Sequence, residues 1–162
     1  MLETISNSSP VIHLAKIGRL NLLHEFYGII TVPTAVYEEC VTDGAEREEI
    51  SAIRNADWLH VYSVTNRNMV RLLMSELDKG ESEAIVLALE KGAGLILLDD
   101  AEARAKARIY HLNITGIVGI LLRAKHEGKI ESFRETIKEL ISSGFWIDER
   151  SKKRFLNEAG ET

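Results

Sequence analysis

Leu95-Ile96-Leu97-Leu98 limits the fold more than any other segment, because an unbroken apolar run leaves no face for water. Gly92-Ala93-Gly94 precedes it and Asp99-Asp100 follows it, so the run is too short for a helix and reads as a strand covered on both faces. Strands of that kind belong to parallel sheets with helices above and below. Ile29-Ile30-Thr31-Val32 is a second candidate, β-branched at every position.

The remaining chain alternates in the same way. Glu3 to Ser6 reads as a first strand, and Ser9-Pro10 as a helix start with Ser9 as N-cap. Leu20 to Phe26 reads as a helix ended by Gly28, and Pro33 as the start of a helix running to about Val41. Ala45 to Asn55 is expected to be helical, Trp58 to Tyr62 a strand and Ser63 to Asn68 a loop. Arg71 to Leu77 and Ser82 to Glu90 are expected as helices parted by Asp78-Lys79-Gly80. Ala101 to Tyr110, Gly116 to Glu127 and Ser132 to Ile141 are further helices, with Asn113 to Thr115 a short strand between the first two. Phe145-Trp146-Ile147 is a candidate edge strand that could also cover a partner, and Asp148 a cap for a last helix over Glu149 to Glu158. The expected class is α/β, with helices on both faces of a central parallel sheet. Its 162 residues suit one domain.

Ligands of such sheets bind beyond the carboxyl ends of the strands. The residues placed there are Asn7, the helix start at Pro33, Asp99 and Asp100. Paired acids at the mouth of an apolar strand repel each other unless a cation or hydrogen-bond donors stand by. A cation site and a simple cap for the helix at Ala101 are both open to Asp99 and Asp100. In Gly80-Glu81-Ser82-Glu83-Ala84-Ile85, residues two apart point about 200° from each other on a helix. Glu81 shares its face with Ala84, Ile85 and Ala88, so it is expected to aim inward, while Glu83 lies on a mixed face. A first-turn acid answering the helix dipole explains Glu81 equally simply. Glu39 lies beside the apolar face of Ala35, Val36 and Cys40, where it could reach a cleft or remain a solvated helix acid. Asn7 and its flanking serines could hold a metal or its waters, or form only a turn.

Acids converging on one cleft fit magnesium or manganese activating water against a phosphodiester. The formal charge of −5 argues against wholesale wrapping of nucleic acid and leaves a nuclease open. His13, His24, His60, His111 and His126 show no zinc-ligand spacing, and the single Cys40 supports no intrachain disulfide. There is no glycine-rich phosphate loop and no nucleophile elbow. An aspartyl-nucleophile phosphatase would want an acid after the first strand, where Asn7 stands. No apolar run is long enough to span a membrane, and Met1 to Pro10 is too polar for a signal peptide, so a cytoplasmic location is the default expectation. Arg104, Lys106, Arg108, Arg123 and Lys125 are candidates for holding substrate, or an ordinary solvated face.

Taken in order, the motifs resemble those of PIN domains, in particular the VapC-like branch. The residues that carry the resemblance are Ser6-Asn7-Ser8-Ser9-Pro10-Val11-Ile12, Val32-Pro33-Thr34-Ala35-Val36-Tyr37-Glu38-Glu39, Gly80-Glu81-Ser82-Glu83-Ala84-Ile85, Leu95 to Asp100, and Thr115 to Leu122. The resemblance covers about Ile5 to Ile147. It implies a PIN-like three-layer α/β/α sandwich over residues 1–162, with the last helix, about 148–158, as a C-terminal extension. It maps the family's acids onto Asn7, Glu39, Glu81 and Asp99 as catalytic and metal-holding residues, with Asp100 beside them. It also implies a magnesium- or manganese-dependent endoribonuclease with RNA as substrate, often the toxin of a toxin–antitoxin pair with an antitoxin partner, and usually a homodimer. Asn7 departs from the pattern: its amide keeps an oxygen ligand but loses a charge. The alternative is therefore a catalytically silent PIN domain that binds RNA or protein.

Overall fold

The strands β1 (Thr4–Ser6), β2 (Ile30–Pro33), β3 (Leu59–Tyr62), β4 (Leu95–Leu97) and β5 (Ile114–Thr115) form a five-stranded parallel sheet. This is seen in a computed structural model that describes residues 2–42 and 47–161. The spatial order is β3-β2-β1-β4-β5. The chain thus builds outward from β1 on one side and then returns to build on the other. The register sets Ser6 beside Leu97 and Leu97 beside Thr115, so these strands end at a common edge. The crevice between the ends of β1 and β4 is the place where the order reverses.

Helices α1 (Ser8–Lys16), α2 (Asn21–Tyr27), α3 (Thr34–Thr42) and α4 (Arg47–Arg54) lie between β1 and β3 in the chain. α5 (Arg67–Leu73), α6 (Lys79–Lys91) and α7 (Ala101–Ile109) connect β3, β4 and β5. α8 (Ile117–His126), α9 (Phe133–Ser142) and α10 (Glu149–Glu158) follow. The layers are those of a PIN-like α/β/α sandwich, with α6 packed against β1, β2 and β4. Ile5, Ile30, Ile96 and Leu97 of the sheet are fully buried, together with Leu14, Ile85, Leu87, Ile117 and Phe133 of the helices. The core extends to Leu156 and Ala159 at the C-terminal end.

Turn chemistry accounts for several boundaries. Gly28 (φ 71°) and Gly92 (φ 58°) end α2 and α6 in a left-handed backbone conformation that a side chain would resist. Several expected boundaries are corrected. α1 starts at Ser8 with Asn7 as its N-cap residue, not at Pro10 behind Ser9; Pro10 still falls among the first residues, whose N–H groups have no helical partner. Pro33 closes β2 rather than opening α3. Asn66 caps α5 by accepting from Met69 N, so the expected loop over Ser63 to Asn68 already contains a helix start. Asp78-Lys79-Gly80 is the start of α6, not a break before it. Phe145-Trp146-Ile147 forms no strand: Phe145 N donates to Leu140 O (3.2 Å) to close α9, and Gly144 turns the chain with φ 106°. The first two residues of the helix expected from Ala45 lie outside the described residues. None of the described helices is long and apolar enough to cross a membrane.

Candidate active site

The helices that begin where the sheet ends bring their first turns, and their acids, to one open cleft of about 960 Å³. Asn7 stands at the end of β1, and its N–H donates to Leu97 O (3.0 Å), tying it to β4. Its side chain caps nothing. The residue is 6% exposed, and its buried Oδ1 has no hydrogen-bond partner. A buried amide oxygen without a partner is costly and calls for something to fill it.

Asp99, two residues past β4, accepts from Ile117 N at Oδ1 and from Ser9 Oγ at Oδ2, both at 2.8 Å. Burial pushes its carboxyl upward, while those donors and the Arg104 guanidinium pull it down. Asp100 caps α7 by accepting from Ala103 N (3.0 Å). Asp78 and Glu81 form a reciprocal capping box at the start of α6. Glu39 of α3 accepts from Ser8 Oγ (2.8 Å) and packs against Gly80, where a Cβ would collide with its Oε1. Gly80 therefore lets the first turn of α6 settle against Glu39.

The cleft wall contains Asn7, Glu81, Asp99 and Asp100 with Asp78, and Glu39 stands beside it behind Ser8. Burial raises Glu81 to about 7; its backbone bond from Asp78 opposes this, and the charges of Asp78, Asp100 and Glu39 add to the rise. The acids thus feel one another across the cleft. Among the described residues, no three His, Cys, Asp or Glu side chains stand together as a finished ligand cluster. Magnesium needs no such cluster: it takes oxygen ligands, keeps several waters and commonly uses one or two protein carboxylates. An orphaned oxygen at Asn7, a carboxylate at Asp99 and mutually repelling acids nearby fit a hard cation.

The face argument for α6 needs correction. Glu83, not Glu81, is the more deeply buried acid, at 2% exposure; it accepts from Ala35 N (3.1 Å) and pairs with Arg67 (3.0 Å). Residues 82–88 are all buried, so the helix has no single inward face to assign. Glu81 nevertheless lines the cleft, because the first turn of α6 opens onto it. The structure also sorts the basic candidates. Lys106 pairs with Glu76, Arg123 with Glu127 and Lys125 with Glu161, whereas Arg104 and Arg108 line the cleft. Arg104 donates to Leu98 O (2.9 Å), which holds its guanidinium near Asp99. Its position four residues after Asp100 was the available sequence signal. Cys40 is buried, and its thiol is pushed up to about 12, first by burial and then by Glu39, so it is inert.

The sequence model of a family described as a PIN domain matches residues 3–161. The chain belongs to the PIN-domain family. PIN domains are usually nucleases, and in this PIN domain Asn7, Glu81, Asp99 and Asp100 line one cleft at the β1–β4 crevice. The match spans α10 as well as the sheet. No curated protein matches the chain.

Gly116 supplies a first prediction for this PIN domain. A Cβ there would lie 2.7 Å from Asp99 Oδ1, 2.8 Å from an Arg104 guanidinium nitrogen and 3.2 Å from Leu98 O. Gly116→Ala is expected to cost about 1–3 kcal/mol by overpacking. It should also displace Asp99, and if the cleft holds manganese through that carboxylate the affinity should fall about tenfold or more, a shift in geometry comparable to losing an outer-shell partner. Calorimetric titration with manganese, beside a thermal melt, checks both parts. Unchanged affinity would remove Asp99 from the site.

Proposed function

We propose that the protein is a metal-dependent endoribonuclease that hydrolyses RNA phosphodiesters. The observation that carries this reading is the unpartnered, buried Oδ1 of Asn7 beside Asp99 at the crevice where the strand order reverses. Asn7, Asp99 and Glu81 would hold magnesium or manganese, with Glu39 and Asp100 supporting them. The ion, when bound, supplies water activation and neutralises phosphate charge. Ile117 N and Ser9 fix the Asp99 carboxylate so that it need not reorganise. Arg104 offers positive charge next to Asp99 where a phosphate oxygen would come. Gly116, without a side chain, leaves room for Asp99 and Arg104 to sit against its backbone. A cytoplasmic toxin role, an antitoxin partner and a homodimer are supported by the motif resemblance.

A second reading, a silent PIN domain that binds RNA or protein, is favoured by one observation: the oxygen at position 7 is neutral. The two readings differ in turnover, and chelator-sensitive cutting of single-stranded and structured RNA decides between them.

Metal binding has its own readout in stability. The folded Glu81 titrates near 7 against an ordinary 4.5, so its contribution to stability is complete below 4.5 and is lost as pH rises through 7. Above that range the metal-free acids repel one another, and a cation relieves them. Saturating manganese is expected to raise Tm by about 5 °C or more at about pH 8, and by less at about pH 5.5. A folded protein with no shift at either pH would sink the metal site.

A further inference from the structure

Besides the acids at the strand ends, the cleft wall includes Arg104, Arg108 and Arg154 with Trp146, and also Asp148. Trp146 is 79% exposed, the most exposed large apolar side chain among the described residues. Its neighbour Phe145 is anchored edge-on against the His13 ring (5.3 Å, 79°). The chain is therefore pinned one residue away while the indole itself rests on nothing in the core. Arg154 lies over the Phe155 ring (4.8 Å), and Phe155 is packed on the core. α10 is in turn held by Glu161, whose carboxylate accepts from Phe133 N (2.7 Å) and Arg134 N (3.1 Å) and pairs with Lys125. The wall is thus fixed although its tips are exposed. None of the three arginines forms a salt bridge among the described residues, and Arg108 stands close enough to Arg104 to oppose its charge. Arg104 feels the Asp99 charge, whereas Arg108 and Arg154 have no ion-pair partner among the described residues, and cations left unpaired favour an anion with several negative groups.

We propose that this wall is a nucleotide-binding subsite: an unpaired base stacks on Trp146 while Arg108 and Arg154 hold the flanking phosphates. This rests on the nuclease reading for its orientation, since the same strand would continue across Arg104 to the acids. A flat exposed indole in the same cleft as the guanidinium groups suits a splayed single strand. Stacking needs a free base face, and the phosphates follow at the spacing of the backbone. A folded protein partner would instead be expected to cover an apolar patch, and among the described residues of the cleft Trp146 is the one large apolar side chain that is mostly exposed.

The test uses the full chain in chelator, so that cutting does not compete. In a Trp58→Phe background, Trp146 is the only indole, and an octamer of adenylate should quench its fluorescence saturably. An abasic octamer with the same phosphates should bind more weakly and leave the emission unchanged. In the otherwise natural chain, Trp146→Ala should weaken the adenylate octamer by about tenfold, and Trp146→Phe should retain most of the binding. Arg108→Ala with Arg154→Ala should flatten the dependence of log Kd on log salt by about 1.4, roughly 0.7 per lost phosphate contact. Equal binding of the adenylate and abasic octamers, or unchanged affinity in Trp146→Ala, would overturn the proposal. So would sedimentation showing that Trp146→Ala only dissolves a dimer while RNA leaves the emission untouched. Quenching without any manganese-dependent cutting would uphold the subsite and end the nuclease reading. Cutting with kcat/KM equal in Trp146→Ala and wild type would do the reverse.

Discussion

Asp99→Asn should reduce manganese-dependent RNA cleavage by at least about a hundredfold while the protein remains folded. The substitution is nearly isosteric, and the amide oxygen can still accept from Ile117 N, as the Oδ1 of Asp99 does at 2.8 Å. What is lost is one unit of charge where a cation and a phosphate would meet, and preorganised charge of that kind is worth about 10²–10³ in rate. The stability cost is small, about 1 kcal/mol, because losing a charged acceptor at the start of α8 is offset by sparing a buried charge. Asn7→Asp is the complementary change. It adds a carboxylate beside the tie to Leu97, so it should tighten manganese binding and leave cutting equal or higher. RNA cleavage and melting of both variants, with manganese and with chelator, measure these outcomes. A wild type that never cuts, beside an Asn7→Asp variant that does, would identify a silenced nuclease. Full activity in Asp99→Asn would end the assignment of the site.

Glu83→Ala should have the largest effect on stability of any acid near the cleft, about 3 kcal/mol. It removes the acceptor for the buried Ala35 N and strips Arg67 of its carboxylate. Because Arg67 is 45% exposed, its orphaned charge finds water, which keeps the loss at the low end for a buried pair. The expected fall in Tm is about 6–12 °C. Glu81→Gln is expected to do the opposite: melting close to wild type and a large loss of cutting, because Glu81 lines the cleft and its box partner needs only an oxygen acceptor. If instead Glu83→Gln abolished cutting with unchanged melting while Glu81→Gln cut normally, the two acids would have to exchange roles.

The comparison of Glu81 with Glu83 also shows what was legible beforehand. The parallel sheet could be read because Leu95 to Leu98 is apolar at every position, and the sheet rule then directed attention to Asn7 and Asp99. Helical periodicity failed on α6 for the same reason that it worked elsewhere. A helix buried through residues 82–88 shows no polar side against which an inward direction can be judged. The wall with Trp146 was illegible for another reason. Trp146 and Arg154 line one cleft with Arg104 and Arg108 because the chain turns at Gly144 after α9 and Glu161 clamps the residues after α10 to the start of α9. No local pattern in residues 145–147 encodes that long-range clamp, and their apolar character resembles a strand until the backbone bond from Phe145 to Leu140 is seen.

The acids of the cleft are also fastenings of the fold. Asp100 starts α7, Asp78 and Glu81 start α6, and Asp99 receives the first amide of α8. Each contributes to a folded chain even if RNA is never cut, since losing a cap costs about 1 kcal/mol of a net stability of about 5–15 kcal/mol. Counting carboxylates in a relative therefore measures helix anchorage as much as turnover. Asn7 is the contrasting case: its side chain fastens nothing, so a change between amide and carboxylate there removes no helix cap. Position 7 is thus where an oxygen of the cleft can gain or lose its charge without removing a helix cap, and its identity carries more information about activity than the acids around it.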